Sequence, residues 1–168
     1  QLLIYPATDM RRGHGSHQRN GQGYILTRET MDYFIGHYLP PGTSPTDWRP
    51  SPLLAASHVG LPPALVLTAG FDPLVDEGLD YARALTAGGS RASYVCFGRQ
   101  IHGFITMGRV LDEANSAVAL CATELRRALT PRRPPRRRLT ASAARAPGRR
   151  CSPARSARAG CAPRGRSA

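Results

Sequence analysis

The run from Ala64 to Ala69 restricts the possible folds more than any other part of the sequence. A short, largely apolar run without strict alternation is expected for a strand buried on both faces of a parallel sheet. It ends in Gly70-Phe71-Asp72-Pro73, where glycine permits a sharp exit and Pro73 favours an extended conformation of Asp72. The pattern predicts an α/β sheet with Asp72 at the carboxyl end of one strand.

A second strand follows through a helix. The helix is predicted at Asp76–Ala87, with carboxylates in its first turn and Gly88-Gly89 as its stop, and the strand at Ser93–Phe97. His102 lies just beyond this strand. Because ligands bind at the carboxyl ends of parallel strands, Asp72 and His102 are candidate partners. A carboxylate that orients an imidazole base is the arrangement that a hydrolytic triad needs.

Several blocks of the sequence resemble one enzyme family. The strongest are Asp-Pro-Leu-Val-Asp-Glu-Gly at 72–78 and His-Gly-Phe at 102–104. The remaining blocks, in chain order, are Gln1–Asp9, Gly23–Thr27, Tyr38-Leu39, Ser51–Leu53 and Leu61–Phe71. In these features the chain resembles the C-terminal portion of an α/β-hydrolase of the hormone-sensitive-lipase-like family, bacterial family IV. The order of acid before histidine also fits α/β-hydrolases.

The resemblance implies a carboxylic ester hydrolase that uses a Ser-Asp-His triad on short- to medium-chain acyl esters. Asp72 would be the triad acid and His102 the base. Neither a metal nor an organic cofactor is implied, and the partner is a small-molecule ester. The resemblance also places Met31 and Phe34 near the acyl pocket; the alternative for this apolar stripe is ordinary core packing.

The sequence departs from the family pattern in two ways. It contains no Gly-x-Ser-x-Gly nucleophile motif, and Arg99 stands where the family usually has glycine, three residues before the histidine. We therefore expect the nucleophile upstream of Gln1 and no activity from this chain alone. The apolar strand predicted at Gln1–Tyr5 would lack a neighbour, so the isolated product is expected to be poorly soluble or molten.

Asp72 has a second interpretation. An Asp before a proline at a helix start is a good N-cap, and only part of that role is compatible with reaching His102. Asp76 and Glu77 are interpreted as partners of the helix dipole. His14 and His17 lie in a loop predicted over residues 7–22, where we expect solvated side chains and no metal, since no third ligand lies near them in sequence.

Further elements follow from apolar spacing and from proline. A helix is predicted at Thr27–Leu39, with Thr27 as its N-cap. Seven prolines lie in residues 40–63 and exclude regular structure there, and Trp48 is expected to pin this segment to the body. The best helical pattern is Arg109–Leu129, whose apolar stripe is Leu111, Ala114, Val118, Cys121, Leu125 and Leu129. Cys96 and Cys121 are both predicted to be buried.

Charge divides the chain into two parts. The formal net charge is +12, yet residues 1–129 hold equal numbers of Arg and acidic residues, 11 each, and the excess lies wholly in residues 130–168. We predict a hydrolase domain at 1–129, with a cap or loop region at about 22–60, and a disordered Arg/Pro/Ala-rich tail at 130–168. The tail could bind polyanions nonspecifically, which gives the alternative of a non-catalytic hydrolase remnant. A frame change after Leu129 would also produce such a run. No membrane span is present, and a cytoplasmic location is expected.

Overall fold

A computed structural model describes residues 1–130. Its strands are β1 (Leu2–Ile4), β2 (Ala64–Phe71) and β3 (Ala92–Ile101), and its helices are α1 (Gly15–Arg19), α2 (Arg28–Tyr38), α3 (Val75–Ala87) and α4 (Asp112–Leu129). Single 3-10 turns occupy Pro52–Leu54 and Phe104–Thr106. The predicted tail lies outside the described residues, apart from Thr130. Within residues 1–130, no helix combines the length and apolarity that a bilayer crossing requires.

The three strands form a parallel sheet in the order β1-β2-β3. β2 is central, with Leu65 opposite Leu2 on one side and opposite Ser93 on the other. Every residue from Ala64 to Ala69 is buried. The prediction of a strand covered on both faces is therefore confirmed, and so is the α/β fold class with its crossover helices.

Alternation along β2 sends its side chains to two separate cores. Leu65, Leu67 and Ala69 pack in one cluster with α4 and the buried Phe104. Ala64 and Val66 pack in the other with residues of α3. Helices thus cover both faces of the sheet, and the carboxyl ends of β2 and β3 are left to hold the polar residues that follow them.

The contact surface of α4 differs from the predicted stripe. Ala114, Ala117 and Cys121 are its buried residues, and Ala117 was not in the stripe. Small side chains at this spacing let the helix approach the sheet closely. Three predicted stripe members are at least 47% exposed, namely Val118, Leu125 and Leu129. The prediction was wrong for these positions because they flank the narrow contact made by the small residues.

Two further burial predictions were wrong. Cys96, which lies on β3, is exposed. Trp48 is 61% exposed and does not pin the proline-rich segment. Ser51 does so instead: it is fully buried, its Oγ donates to the Pro45 carbonyl at 2.6 Å and accepts from the Met10 N–H at 2.8 Å. The buried position predicted for Cys121 is confirmed.

The exit from β2 depends on glycine. Gly70 lies at a register irregularity between β2 and β3, and a Cβ there would collide with the backbone of Gly98. We expect Gly70→Ala to lower the free energy of unfolding by about 1–3 kcal/mol, as overpacking does. The matched control is Gly98→Ala, where a Cβ meets no atom within 4 Å. Urea unfolding of both variants measures the effect, and equal stability of the two would contradict the close approach.

Candidate active site

Asp72 is fully buried immediately after β2, and its two carboxylate oxygens have different partners. Oδ1 accepts the Leu74 N–H at 2.9 Å, while Oδ2 lies 2.8 Å from Nδ1 of His102. The first contact closes a turn before α3 and is not an N-cap bond, because the N-cap of α3 is Leu74 and the helix begins at Val75. The interpretation of Asp72 as the N-cap is therefore wrong. The second contact is the one that a triad needs.

His102 directly follows β3, and its side chain is 26% exposed. An ionised carboxylate can only accept a hydrogen bond, so the contact with Asp72 makes Nδ1 the donor of the imidazole. Nε2 then carries the lone pair. Gly103 adopts the left-handed conformation with φ 83° and turns the chain inward, where the fully buried Phe104 anchors it. The arrangement can accept a proton at an exposed imidazole and stabilise the resulting charge.

Tyr5 packs against the imidazole of His102 and was not identified from the sequence. Its ring centroid lies 4.4 Å from that of His102. Tyr5 has φ 33°, a strained value for a residue with a side chain, directly after β1. Burial is the main cause of the raised pKa of Tyr5, and the charge of Asp72 acts in the same direction, so the phenol stays neutral at pH 7. The signal that could have identified Tyr5 is its position, because it is an aromatic residue directly after β1, the third strand that ends near the site.

A short segment, α1 with Asn20, clamps the loop that carries Asp72. Asn20 is buried, and its Nδ2 donates to the carbonyls of Gly70 and Asp72, both at 3.1 Å. Ser16 Oγ donates to the Pro73 carbonyl at 2.5 Å. These bonds satisfy the backbone of the loop where β2 ends, so the position of the Asp72 carboxylate is fixed from both its side chain and its main chain.

The chain is similar in sequence to known proteins. A sequence profile described as alpha/beta hydrolase fold matches residues 1–106. The chain belongs to the alpha/beta hydrolase fold family. It is 44% identical over 108 residues to the carboxylic ester hydrolase LipN of Mycobacterium tuberculosis, covering 64% of this chain and 29% of LipN. It is 35% identical over 129 residues to the ethyl acetate hydrolase of Pseudomonas putida, covering 77% of this chain and 41% of that hydrolase.

A solved structure has the same fold over most of this chain. The carboxylesterase EstE1, cloned from a metagenomic library, superposes with a TM-score of 0.73 at 41% identity, over 78% of this chain and 45% of EstE1. The chain spans between 29% and 45% of the length of these three hydrolases. The described residues are thus a part of the alpha/beta hydrolase fold, and the Asp72–His102 contact lies within that part.

The two predicted pocket residues of this hydrolase fold lie in different surroundings. Met31 is buried against Leu26 and Leu74, so it joins α2 to the residue whose N–H donates to Oδ1 of Asp72. Phe34 is 60% exposed and makes an edge contact with Tyr33. The alternative of core packing for the stripe of Met31, Phe34, Ile35 and Tyr38 is wrong at Phe34 and also at Tyr38, which is 65% exposed. A role in an acyl pocket stays a prediction for both residues, as does the cap region at about 22–60.

The Asp72–His102 contact forms even though Arg99 stands where the family usually has glycine. The Arg99 side chain is 89% exposed and lies 3.4 Å from Glu113 of α4. β3 continues past it to Ile101, which places His102 at the strand end. The side chain is accommodated on the surface of this hydrolase domain.

The loop predicted at residues 7–22 is more ordered than expected. It contains α1, and His17, expected in solvent, is only 4% exposed. His17 Nε2 lies 2.8 Å from Oε2 of Glu77, which is itself fully buried. Burial of Glu77 goes beyond its predicted role as a dipole partner, since Oε1 also accepts the N–H groups of Thr8 at 2.6 Å and Asp9 at 3.1 Å. The helix α1 was not predicted, because its five residues show no apolar periodicity.

Asn20→Ala tests the clamp. Losing the amide leaves the buried Asp72 carbonyl without this donor, and we expect a loss of about 1–3 kcal/mol in the free energy of unfolding. Asn115→Ala is the matched control, because Asn115 also donates to a carbonyl, that of Gly108 at 2.8 Å, but is exposed. Its expected cost is within about 0.5 kcal/mol. Urea unfolding compares them; an equal small loss at both sites would contradict a clamp.

Proposed function

We propose that this chain carries the acid and the base of a carboxylic ester hydrolase. The observation that supports the proposal is the 2.8 Å contact between Oδ2 of the buried Asp72 and Nδ1 of the partly exposed His102. The names of its relatives, carboxylic ester hydrolase, ethyl acetate hydrolase and carboxylesterase, point to the same activity. Short- to medium-chain acyl esters are the proposed substrates.

In the proposed reaction, a serine hydroxyl attacks the ester carbonyl carbon. Nε2 of His102 removes the hydroxyl proton and then passes it to the leaving alcohol. Asp72 holds the reactive tautomer and balances the charge of the imidazolium. Water repeats the sequence on the acyl-serine. Backbone N–H groups would stabilise the negatively charged oxygen of each tetrahedral intermediate. In this scheme the chain contributes the proton transfer, and a serine nucleophile upstream of Gln1 stays a prediction.

A complemented enzyme tests the proposal. In this chimera, residues 1–130 replace the matching segment of EstE1, which supplies the rest of the fold. We expect hydrolysis of a p-nitrophenyl ester of a short acid by the chimera, and none above background by the 168-residue chain alone. Circular dichroism and a melting curve establish that the chimera folds. A folded chimera without esterase activity would refute the assignment of the pair.

The charge asymmetry supports the alternative of a polyanion-binding remnant. Residues 130–168 contain 12 Arg and no acidic residue. Binding through phosphates would weaken steeply as salt rises. A titration against duplex DNA at two salt concentrations, with a variant truncated at Leu129, measures the role of the tail. If the truncated chain bound DNA equally well, the tail would not be the binding segment. Polyanion binding and a cytoplasmic location stay predictions.

A further inference from the structure

A second polar cluster lies away from the Asp72–His102 pair. It consists of His14, His17 and Glu77, whose ligand atoms all lie within 4.8 Å of one another. His17 and Glu77 are buried, and Glu77 is brought there from α3, 60 residues further along the chain than His17. The sequence argument against a metal rested on the lack of a third ligand near the two histidines. Folding supplies that ligand.

Nδ1 of His14 is buried and lacks a hydrogen-bond partner among residues 1–130, and the nearest carboxylate oxygen, Oδ2 of the buried Asp9, is 3.9 Å away. A buried polar atom in this condition costs about as much as a lost hydrogen bond, so its placement needs an explanation. A cation bound between Nδ1 of His14 and the neighbouring pair would provide one.

The remaining atoms of the cluster are held as metal ligands usually are. Nε2 of His14 lies 3.3 Å from Oδ2 of Asp80, the arrangement in which a carboxylate orients a ligating imidazole. Oε1 of Glu77 is fixed by the N–H groups of Thr8 and Asp9, which leaves Oε2 facing His17. Two of the three proposed ligands, His14 and Glu77, are therefore oriented by groups outside the cluster.

We propose that His14, His17 and Glu77 form a binding site for a divalent transition-metal ion of the Zn²⁺ type. Two imidazoles and one carboxylate are a zinc donor set that leaves one position for water. The ion would take the place of the hydrogen bond between His17 and Glu77, with the His17 proton carried on Nδ1 and Glu77 ionised. It would tie α1 and its N-cap residue His14 to the first turn of α3, and it does not depend on the esterase assignment.

Metal binding by the full 168-residue chain tests the site. The cysteines are alkylated beforehand, so that thiolates do not bind the ion, and ZnCl₂ and CoCl₂ are the probes. We expect a single equivalent of Zn²⁺ in equilibrium dialysis and a Co²⁺ visible spectrum of nitrogen and oxygen ligands. Saturating Zn²⁺ should raise the melting temperature by about 5–10 °C.

Two histidine variants distinguish specific binding at this site from nonspecific metal binding. His14→Gln should weaken Zn²⁺ binding about tenfold or more and remove the rise in melting temperature. It changes the only ligand of the three that is not buried, and the His17–Glu77 pair remains to hold the fold. His37→Gln is the matched control, since His37 is exposed on α2, and its affinity should equal that of the unmodified sequence. Equal Zn²⁺ affinity in both variants, or no binding by the parent chain, would overturn the proposal.

Discussion

Replacing Asp72 with Asn in the complemented enzyme is expected to lower kcat on the order of ten-thousandfold, with a small change in KM. Asn can still accept the Leu74 N–H through its amide oxygen, so the turn bond at 2.9 Å survives. Its NH₂ group then faces Nδ1 of His102, which favours the wrong tautomer, and no charge remains to balance the imidazolium. The change isolates the catalytic role of Asp72 from its structural one.

Asp76→Asn is the control for this prediction. Asp76 belongs to the same stretch of chain, but its carboxylate bonds to Ser16 N–H and to Arg19, and its side chain is 33% exposed. We expect kcat within about twofold of the parent, because exposed ion pairs contribute little. Initial rates over a range of ester concentrations separate kcat from KM. If Asp72→Asn kept about a tenth of the parent kcat in a folded protein, Asp72 would not be the acid of a triad.

The sequence located this pair because the two signals that carry it are local. The apolar run of β2 and the Gly-Phe-Asp-Pro exit define one strand end, and His102 follows the next strand. Parallel pairing then brings the two ends together, whatever the rest of the chain does. The N-cap at Thr27, which accepts from the Thr30 N–H, was predictable for the same reason: its partner is three residues away.

The supporting contacts could not be predicted because they join distant parts of the chain. Asn20 reaches the Asp72 carbonyl across 52 residues, and His17 reaches Glu77 across 60. Neither residue type has a pattern that names such a partner. The predictions that Cys96 and Trp48 are covered were wrong for a related reason. The apolar character of a residue does not reveal whether a neighbouring element covers it. Only the fold supplies that information.

Glu77→Ala is expected to lower the free energy of unfolding by about 3–5 kcal/mol, the cost of removing one partner from a buried charged network. The carboxylate of Glu77 accepts two backbone N–H groups and contacts His17, all in the interior. Glu77→Gln keeps an amide oxygen for Thr8 and Asp9 and should lose only about 1–3 kcal/mol. Urea unfolding in the presence of a chelator measures both, so that no metal ion contributes.

A double-mutant cycle with His17→Ala apportions this loss, and Glu124→Ala controls for the substitution itself. Glu124 lies on α4 with 37% of its side chain exposed and its nearest Arg nitrogen, from Arg127, 3.8 Å away, so its loss should stay within about 0.5 kcal/mol. Because His17 and Glu77 share one contact, the two single variants should together lose more free energy of unfolding than the double variant does, by about 1 kcal/mol or more. Strict additivity would mean that the backbone N–H groups, and not the imidazole, account for the burial of Glu77.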